Sequence, residues 1–204
     1  MQNKLVILVT GASSGIGRAI VDSLGREGHR VIGTSRRVSG FPENPVREDV
    51  TMIPLDVTDQ SSVDQALSYV HEHYGRIDVL INNAGLERPT PLTGDHPKGN
   101  ETFERIVAIN ITGTQNVTDT LVGRIPDGGR IILTASIWAR TAVPGFSAYV
   151  ATKHANLGLM RAWAQELGPR GIRVNAVCPG WVKTGPAMNS LRELAQSSGR
   201  SEEE

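Results

Sequence analysis

This sequence is poor in several features, and each shortage argues against a class of protein. It has one cysteine, Cys178, which rules out an internal disulfide and fits a reducing compartment. Basic and acidic residues number 21 each and the basic ones form no run, which argues against nucleic-acid binding. The first apolar segment, 5–9, is far too short for a signal peptide or a membrane span. We therefore expect a cytoplasmic protein with a small-molecule partner, and neither a membrane nor a nucleic-acid partner.

Metal-binding patterns are also missing from the sequence. The histidines have no spacing typical of metal ligands, and they are His29, His71, His73, His96 and His154. His71 and His73 are two residues apart and so do not share a helix face. We predict no catalytic metal. Cys178 follows an apolar strand, where we expect a packed small side chain rather than a nucleophile.

What the sequence does contain is an alternation of short apolar runs and amphipathic stretches. With 204 residues, 39% hydrophobic and 21% charged, the chain can form one globular domain with a continuous core. The alternation predicts a single Rossmann-like, doubly wound α/β domain, with a parallel sheet and helices on both faces. The six predicted strands are 5–9, 30–34, 52–55, 77–81, 130–135 and 172–177. No linker or repeat divides them, so we assign 1–184 to this domain and 185–204 to a tail.

Several residues mark where the helices should begin and end. Asp59 or Ser61 should cap the helix that follows the third strand, and Gly75 should end it. Asn100 should open one long helix. The crossover around 41–45 contains two prolines, so we predict that it is irregular.

A glycine-rich turn, Thr10-Gly-Ala-Ser-Ser-Gly-Ile-Gly17, joins the first strand to the first helix. Glycines there let the backbone approach a pyrophosphate, while the helix N-terminus supplies free N–H groups and a positive dipole. The spacing Gly11-x-x-x-Gly15-x-Gly17 differs from the better-known G-x-G-x-x-G fingerprint. A flexible turn is the alternative, but the position and the hydroxyls of Ser13 and Ser14 favour phosphate binding.

Tyr149 and Lys153 lie four residues apart, so they share one face of a predicted helix that runs to Leu167. A phenol has a pKa of about 10 and transfers protons poorly at neutral pH. Lowering that pKa to about 7 requires roughly 4 kcal/mol. One positive charge about 4 Å away supplies a similar amount at an effective dielectric constant of about 20. We therefore expect Lys153 to lower the pKa of Tyr149.

The motif set as a whole resembles that of the short-chain dehydrogenases/reductases, in particular the 3-oxoacyl and carbonyl reductases. The motifs that carry the resemblance are the glycine turn, Asp56-Val57, Asn82-Asn-Ala-Gly85, Asn110, Ser136, Tyr149-x-x-x-Lys153 and Pro179-Gly180. They occur in the family's order over nearly the whole chain.

The resemblance implies hydride transfer between a nicotinamide cofactor and a carbonyl or alcohol, with catalytic residues Asn110, Ser136, Tyr149 and Lys153. Tyr149 would be the general acid or base, and Ser136 would bind the substrate oxygen. Lys153 would also bind the nicotinamide ribose, and Asn110 would hold a helix and a water for a proton relay. Ser136 and Asn110 each have a purely structural alternative as backbone-satisfying polar residues.

The resemblance also implies a set of cofactor-binding residues. These are Gly11, Ser13, Ser14, Gly15, Ile16, Gly17, Ser35, Arg36, Arg37, Asp56, Val57, Asn82, Ala84, Gly85, Tyr149, Lys153, Pro179, Gly180, Val182 and Thr184. The second strand runs into Ser35-Arg36-Arg37 and carries no acid for a ribose 2′-hydroxyl, whereas an arginine suits a 2′-phosphate. We therefore expect NADP rather than NAD, read by Arg36, although both arginines would also suit a solvated strand end.

Two further expectations concern the substrate side. Trp138, Phe146 and Trp181 flank the motif residues and would serve either as pocket wall or as core. Family members continue beyond the Pro-Gly segment into a substrate lid and an edge strand, for which this sequence leaves only 183–204. The tail then resembles a remnant of that lid. We expect a homodimer and no tetramer.

Three functions remain open at this point. The first is an NADP-dependent carbonyl reductase or alcohol dehydrogenase, favoured by the intact catalytic set. The second is a non-catalytic or impaired NADP(H)-binding module, suggested by the short tail. The third is the family's extended branch of epimerases and dehydratases, whose glycine spacing differs and whose chains are longer. The sequence does not identify the substrate or the direction of reaction.

Overall fold

The structure, a computed structural model, describes residues 4–43, 49–93, 101–185, 188 and 191–192. The described residues form one parallel sheet in the order β3-β2-β1-β4-β5-β6. Its strands are β1 (Val6–Val9), β2 (Arg30–Ser35), β3 (Val50–Pro54), β4 (Val79–Asn82), β5 (Arg130–Thr134) and β6 (Arg173–Val177). The six predicted strands and the doubly wound parallel sheet are thereby confirmed.

Helices connect the strands. The α-helices are α1 (Gly15–Arg26), α2 (Gln60–Tyr74), α3 (Glu101–Val107), α4 (Gly113–Val122) and α5 (Ser147–Leu167). A π-helical turn, Ala108–Thr112, joins α3 to α4, and short 3₁₀ turns occupy Ile137–Ala139 and Gly168–Arg170. Residues 36–43 form neither helix nor strand, in line with the irregular crossover predicted there. Positions 44 and 45 of that segment lie outside the described residues.

Local signals in the sequence explain where α2 begins and ends. The Asp59 carboxylate accepts a hydrogen bond from the Ser61 N–H at 3.0 Å, which satisfies one of the free donors of the first turn. Gly75 follows the last turn with a φ of 75°, a conformation that glycine adopts without strain. The cap at Asp59 and the stop at Gly75 are both confirmed.

The predicted single long helix is interrupted. Asn100, its predicted first residue, lies outside the described residues, and the helix that begins at Glu101 changes to π geometry around Asn110. Such a turn inserts an extra residue and changes the direction of the side chains that follow. Phe103 in α3 is 42% exposed, whereas Ile109 and Asn110 in the π turn are buried.

The core lies on both faces of the sheet. On one face, Leu8, Leu80 and Ile131 pack with residues of α2, α4 and α5. On the other face, Ile7 and Val79 pack with α1. All four residues of β1 are buried, which explains why that run shows no polar alternation.

The edge of the described sheet corrects one prediction. Cys178 follows β6, the last strand, and is exposed rather than packed. Its neighbour Val177 is also exposed, because nothing described lies beside β6 on its outer side. None of the described helices is both long and apolar enough to span a membrane.

The close packing of α4 against the cavity residue Val57 gives a test of the fold. A Cβ added at Gly113 would lie 2.5 Å from the Val57 Cγ2, whereas one added at Gly158 in α5 meets nothing within 4 Å. We predict that Gly113→Ala lowers the free energy of unfolding by about 1–3 kcal/mol through overpacking. Gly158→Ala should raise it by roughly 0.5–1 kcal/mol, because alanine favours the helix. Urea denaturation of both variants measures this; equal effects would contradict the packing.

Candidate functional site

The carboxyl ends of the strands open into a cavity of about 620 Å³. It lies where the chain order reverses, with β2 on one side of β1 and β4 on the other. Open α/β sheets bind ligands at this crevice, and the volume is within the usual range for a cofactor or substrate site.

The turn after β1 is held so tightly that it requires glycine. Gly11 has a φ of 67°, and a Cβ there would lie 2.7 Å from the Ala84 Cα. A Cβ at Gly17 would lie 2.4 Å from the Gly11 carbonyl oxygen and from the Asn83 Nδ2. The backbone therefore leaves open a concave surface that side chains would otherwise fill.

Two polar side chains fasten this turn to the end of β4. The Thr10 hydroxyl accepts hydrogen bonds from the backbone N–H groups of Asn83 and Ala84, at 3.0 and 2.9 Å. In return, the Asn83 amide donates to the carbonyl oxygens of Thr10 and Gly11, at 3.0 and 3.1 Å. The two loops thus form one rigid floor.

The features of this floor fit the pyrophosphate of a dinucleotide. Ser13, Ser14 and Gly15 line the cavity at the start of α1, where free N–H groups and the helix dipole favour an anion. Ser14 is the N-cap residue, and its side chain makes no capping hydrogen bond within the described chain. Its hydroxyl therefore remains available to a phosphate.

The ends of β2 and β3 form the far side of the cavity. Arg36 Nη1 lies 3.9 Å from the Asp56 Oδ2, and both side chains are partly exposed. The other oxygen of Asp56 accepts hydrogen bonds from the Thr58 backbone N–H at 3.0 Å and hydroxyl at 2.7 Å. Such an exposed pair holds Arg36 weakly, so the guanidinium can turn toward a ligand.

At the opposite end of the cavity, Ser136, Tyr149 and Lys153 line one wall. The Ser136 oxygen accepts a hydrogen bond from the Trp138 N–H at 3.2 Å, so its own proton can be donated. The Trp138 ring contacts the Tyr149 ring edge-on, with centroids 5.9 Å apart, and the Trp181 ring at 5.7 Å. Both tryptophans line the cavity, whereas Phe146 is fully buried in the core.

Lys153 is buried and points across the tyrosine ring. Its Nζ donates a hydrogen bond to the Thr134 carbonyl oxygen at 2.7 Å and lies 5.4 Å from the centre of the Tyr149 ring. Burial lowers the pKa of Lys153 to about 8. The buried ammonium therefore loses its proton far more readily than a lysine in water.

We expected Lys153 to lower the pKa of Tyr149. With only the protein's own groups present, that prediction is wrong. Burial and, to a smaller extent, the Glu87 carboxylate raise the pKa of Tyr149 to about 12, while a hydrogen bond with Ser136 opposes them. The cost of placing a phenolate in a dry cavity outweighs the attraction of Lys153, itself desolvated. The Tyr149 phenol is therefore protonated at neutral pH.

Asn110 lies behind the cavity wall instead of lining it. Its Oδ1 accepts a hydrogen bond from the Leu86 N–H at 2.7 Å. Its Nδ2 donates to the Leu86 carbonyl oxygen and to the Thr152 hydroxyl, both at 3.0 Å. The side chain thus joins the loop after β4 to α5, at the residue directly before Lys153.

The structure brings most of the predicted site residues to this cavity. Those that line it are Gly11, Ser13, Ser14, Gly15, Ile16, Gly17, Ser35, Arg36, Arg37, Asp56, Val57, Ala84, Gly85, Ser136, Tyr149, Lys153, Pro179, Gly180, Val182 and Thr184. Asn82 does not line the cavity, because it is buried and donates a hydrogen bond to the Thr118 hydroxyl at 2.9 Å. The next residue, Asn83, lines the cavity in its place, as expected where side chains alternate between faces.

Sequence reasoning missed the loop that follows β4. Leu86, Glu87 and Arg88 line the cavity, as does Thr134 at the end of β5. The signal available was their position directly after a strand end at the sheet's switch point. Among the described residues, no three histidine, cysteine or acidic side chains are grouped so that they could hold a metal ion.

The buried lysine predicts a particular pH dependence of stability. Between about pH 8 and its ordinary pKa of 10.5, Lys153 is more protonated in the unfolded chain than in the folded one. The free energy of unfolding therefore gains a contribution that rises with pH across that window. Lys153→Met should lack this rise.

The measurement is urea denaturation at several pH values from about 7.5 to about 10. Below about pH 10, Tyr149 does not contribute to the pH dependence of stability. The difference between wild type and Lys153→Met should grow with pH in favour of the wild type. Lys183→Met, which changes an exposed side chain, is the control and should run parallel to the wild type. Parallel curves for Lys153→Met would contradict the lowered pKa.

Comparison with known proteins places this chain in a family. The sequence profile of the short chain dehydrogenases matches residues 5–195. A 3-oxoacyl-(acyl-carrier-protein) reductase from Thermotoga maritima is 34% identical, over 96% of this chain and 81% of its own. A D-beta-hydroxybutyrate dehydrogenase from Rhizobium meliloti is 32% identical, over 97% of this chain and 79% of its own.

Solved structures agree with the sequence relatives. The 3-ketoacyl-(acyl-carrier-protein) reductase from Brucella melitensis, complexed with NADH, superposes with a TM-score of 0.80. It is 26% identical to this chain, and the match covers 97% of this chain and 89% of the other. With the profile, the relatives and the sheet order in agreement, this chain belongs to the short-chain dehydrogenase/reductase family of oxidoreductases.

Proposed function

We propose that this protein transfers a hydride between NADP(H) and a carbonyl or secondary alcohol, with Tyr149 as the general acid and base. The observation that carries the proposal is the shared cavity. Ser136, Tyr149 and Lys153 line one end of it, and the glycine turn with the N-terminus of α1 lines the other. A dinucleotide lying along the floor would thus bring its nicotinamide to the tyrosine.

The protonation state of the site favours carbonyl reduction. Because the pKa of Tyr149 is about 12, the phenol is protonated at neutral pH and can donate to a carbonyl oxygen. The Ser136 hydroxyl, which also interacts with the phenol, would donate its proton to the same substrate oxygen as negative charge develops there. The nicotinamide, when bound, supplies or accepts the hydride, and its oxidised form adds a positive charge that favours the phenolate. Oxidation of an alcohol needs that phenolate as base.

The proposal is less specific about the substrate than about the type of reaction. The named relatives are a 3-oxoacyl reductase and a hydroxybutyrate dehydrogenase, which supports a small ketone or its alcohol. Asn110 holds α5 and the loop after β4 in register, consistent with its suggested place behind a proton relay. A homodimer in the cytoplasm, with residues 1–184 as the catalytic domain, remains part of the proposal.

Cofactor choice rests on the end of β2. Ser35, Arg36 and Arg37 line the cavity there, and the Ser35 hydroxyl accepts a hydrogen bond from the Arg37 N–H at 3.1 Å. The nearest acid, Asp56, follows β3 and stands 3.9 Å from the Arg36 guanidinium. Two arginines at this point favour a 2′-phosphate, and hence NADP, although one structural relative binds NADH.

Removal of one oxygen tests the role of the tyrosine. Tyr149→Phe should lower kcat/KM for ketone reduction by about 10²–10⁴, because the general acid is lost while the cavity keeps its shape. NADPH affinity, measured by titration of NADPH fluorescence, should change little. Tyr69→Phe, on the distant helix α2, is the control and should retain full activity.

Two results would speak against this function. Full activity of Tyr149→Phe would exclude the tyrosine as the acid. Tight NADPH binding by the wild type, without turnover on a broad ketone panel, would favour the non-catalytic binding module.

Replacement of one arginine tests the cofactor. A hydrogen bond to a charged group contributes about 1.5–3 kcal/mol, so Arg36→Asp should lower the preference for NADPH over NADH roughly tenfold to a hundredfold. The preference is the ratio of the two kcat/KM values. Arg26→Asp makes the same charge change at the exposed end of α1 and should leave the ratio unchanged. An unaltered ratio in Arg36→Asp would remove Arg36 from the phosphate site.

A further inference from the structure

The first turn of α5 carries Tyr149 but has no cap from its own flanking residue. Phe146 precedes the helix, and its apolar side chain is fully buried and makes no capping hydrogen bond. The first N–H groups of an α-helix have no partner within the helix, so an acceptor from elsewhere is needed. Tyr149 is the third residue of α5, and it therefore lies in the turn that frays most readily without such an acceptor.

Thr90, the last residue of the loop after β4 (residues 86–90), supplies this acceptor. Its hydroxyl oxygen accepts a hydrogen bond from the Ala148 N–H at 3.0 Å. Ala148 is the second residue of α5, and its N–H group is one of those to which an N-cap side chain ordinarily binds. Thr90 therefore takes the place of an N-cap residue, from a segment that is distant from the helix in sequence.

Further hydrogen bonds hold Thr90 against the start of α5. The Thr90 N–H donates to the Gly145 carbonyl oxygen at 2.7 Å, and the Ser147 hydroxyl donates to the Thr90 carbonyl oxygen at 2.9 Å. The two hydroxyl oxygens lie 3.1 Å apart. Because the single proton of the Ser147 hydroxyl is already used, the Thr90 hydroxyl is the donor in this pair. The hydroxyl of Thr90 thus accepts one hydrogen bond from α5 and donates another to it.

A second contact holds the same helix further along. The Asn110 amide donates to the Thr152 hydroxyl at 3.0 Å, and that hydroxyl donates to the Tyr149 carbonyl oxygen at 2.9 Å. Asn110 also binds both backbone groups of Leu86, the first residue of the loop after β4. Tyr149 therefore lies between two points at which this loop is fastened to α5, one directly at Thr90 and one through Asn110.

The reactive end of the cavity depends on the position of the Tyr149 ring. The ring lies edge-on to Trp138, with centroids 5.9 Å apart, and its centre lies 5.4 Å from the Lys153 Nζ. The Lys153 amine is held separately by the Thr134 carbonyl oxygen, so a loosened first turn would move the phenol relative to the amine. Proton transfer requires hydrogen-bond reach, and a displacement of about 1 Å can lower a rate about a hundredfold.

We propose that Thr90 is a positioning residue for the reaction: its hydroxyl caps α5 from the loop after β4 and thereby fixes the Tyr149 phenol in the cavity. Thr90 itself does not line the cavity, so it acts through the helix and not on the substrate. This proposal rests on the function proposed above, because it assumes that Tyr149 is the general acid.

Removal of the hydroxyl tests this role. Thr90→Val keeps the branching of the side chain and the hydrogen bonds of the Thr90 backbone, but it removes the cap. We expect kcat for ketone reduction with NADPH to fall about tenfold or more, through displacement of the phenol. KM for NADPH should change little, because the glycine turn after β1 keeps its contacts. Thr90→Ser, which retains the hydroxyl, should restore most of kcat.

Two single variants distinguish positioning from a general loss of packing. Thr120→Val removes a threonine hydroxyl that donates to the Asn116 carbonyl oxygen in α4, away from the cavity, and should keep the wild-type kcat. Ser147→Ala changes an exposed side chain, removes its two hydrogen bonds with Thr90, and should lower kcat as Thr90→Val does.

A double variant tests whether Thr90 acts through the tyrosine. In Tyr149→Phe, the addition of Thr90→Val should cause little further loss of kcat, because the phenol that Thr90 positions is already gone. Effects of the two substitutions that multiply would overturn the proposal.

A further measurement does not depend on turnover. The chain has three tyrosines, so protein labelled with carbon-13 at the tyrosine ζ carbon gives three resonances, and Tyr149→Phe identifies that of Tyr149. Thr90→Val should shift the Tyr149 resonance, and Thr90→Ser should return it toward its wild-type position. The resonances of Tyr69 and Tyr74, both on α2, should stay in place.

The outcomes separate the two proposals. If no ketone is reduced but the Tyr149 resonance moves in Thr90→Val and returns in Thr90→Ser, the positioning role is supported and the hydride-transfer function fails. If ketones are reduced and both Thr90→Val and Ser147→Ala keep the wild-type kcat, the function stands and the role of Thr90 is overturned. A Tyr149 resonance that stays in place in both variants would also overturn it.

Discussion

The hydrogen bonds between the ends of β1 and β4 are the constraint on which the rest of this site depends. Thr10 and Asn83 each reach across to the other's loop, and Gly11 lies so close to Ala84 that no side chain fits between them. This contact opens the crevice at the switch point and directs the start of α1 toward it. It also fixes where the chain leaves β4 and enters the loop of residues 86–90, so the two ends of the cavity share one support.

Burial has opposite consequences for the two titratable groups at the reactive end. A dry cavity favours the neutral form of each, so the pKa of Tyr149 rises while that of Lys153 falls. At neutral pH the phenol is therefore protonated and lies beside an amine that gives up its proton readily. The hydrogen bond from the Lys153 Nζ to the Thr134 carbonyl oxygen holds the amine at the end of β5, where it cannot turn outward to solvent.

The fold could be predicted from the sequence because its signals are local. Apolar strands, the cap at Asp59 and the stop at Gly75 each depend on neighbouring residues. The pairing of Tyr149 with Lys153 in the cavity could also be predicted, because the two residues share a helix face. The raised pKa of Tyr149 could not be predicted from the sequence, because it depends on burial and on Glu87, which is distant in sequence.

The same distinction explains the smaller errors at the site. Asn82 and Asn83 are equivalent by composition, and only the pleat of β4 decides which of them faces the cavity. The π turn around Asn110 has no clear signature in the helical spacing, yet Asn110 lies within it. Both the orientation of the two asparagines and the π turn depend on packing against other segments. The spacing of apolar residues in the sequence does not encode that packing.

The loop after β4, residues 86–90, connects these observations. Asn110 binds the backbone of Leu86 at one end of the loop and contacts Thr152 of α5. At the other end of the loop, Thr90 caps the N-terminus of the same helix. A displacement of the loop would therefore move α5, and with it Tyr149 and Lys153. The position of Tyr149 is in this way tied to one short segment of backbone that is distant from it in sequence.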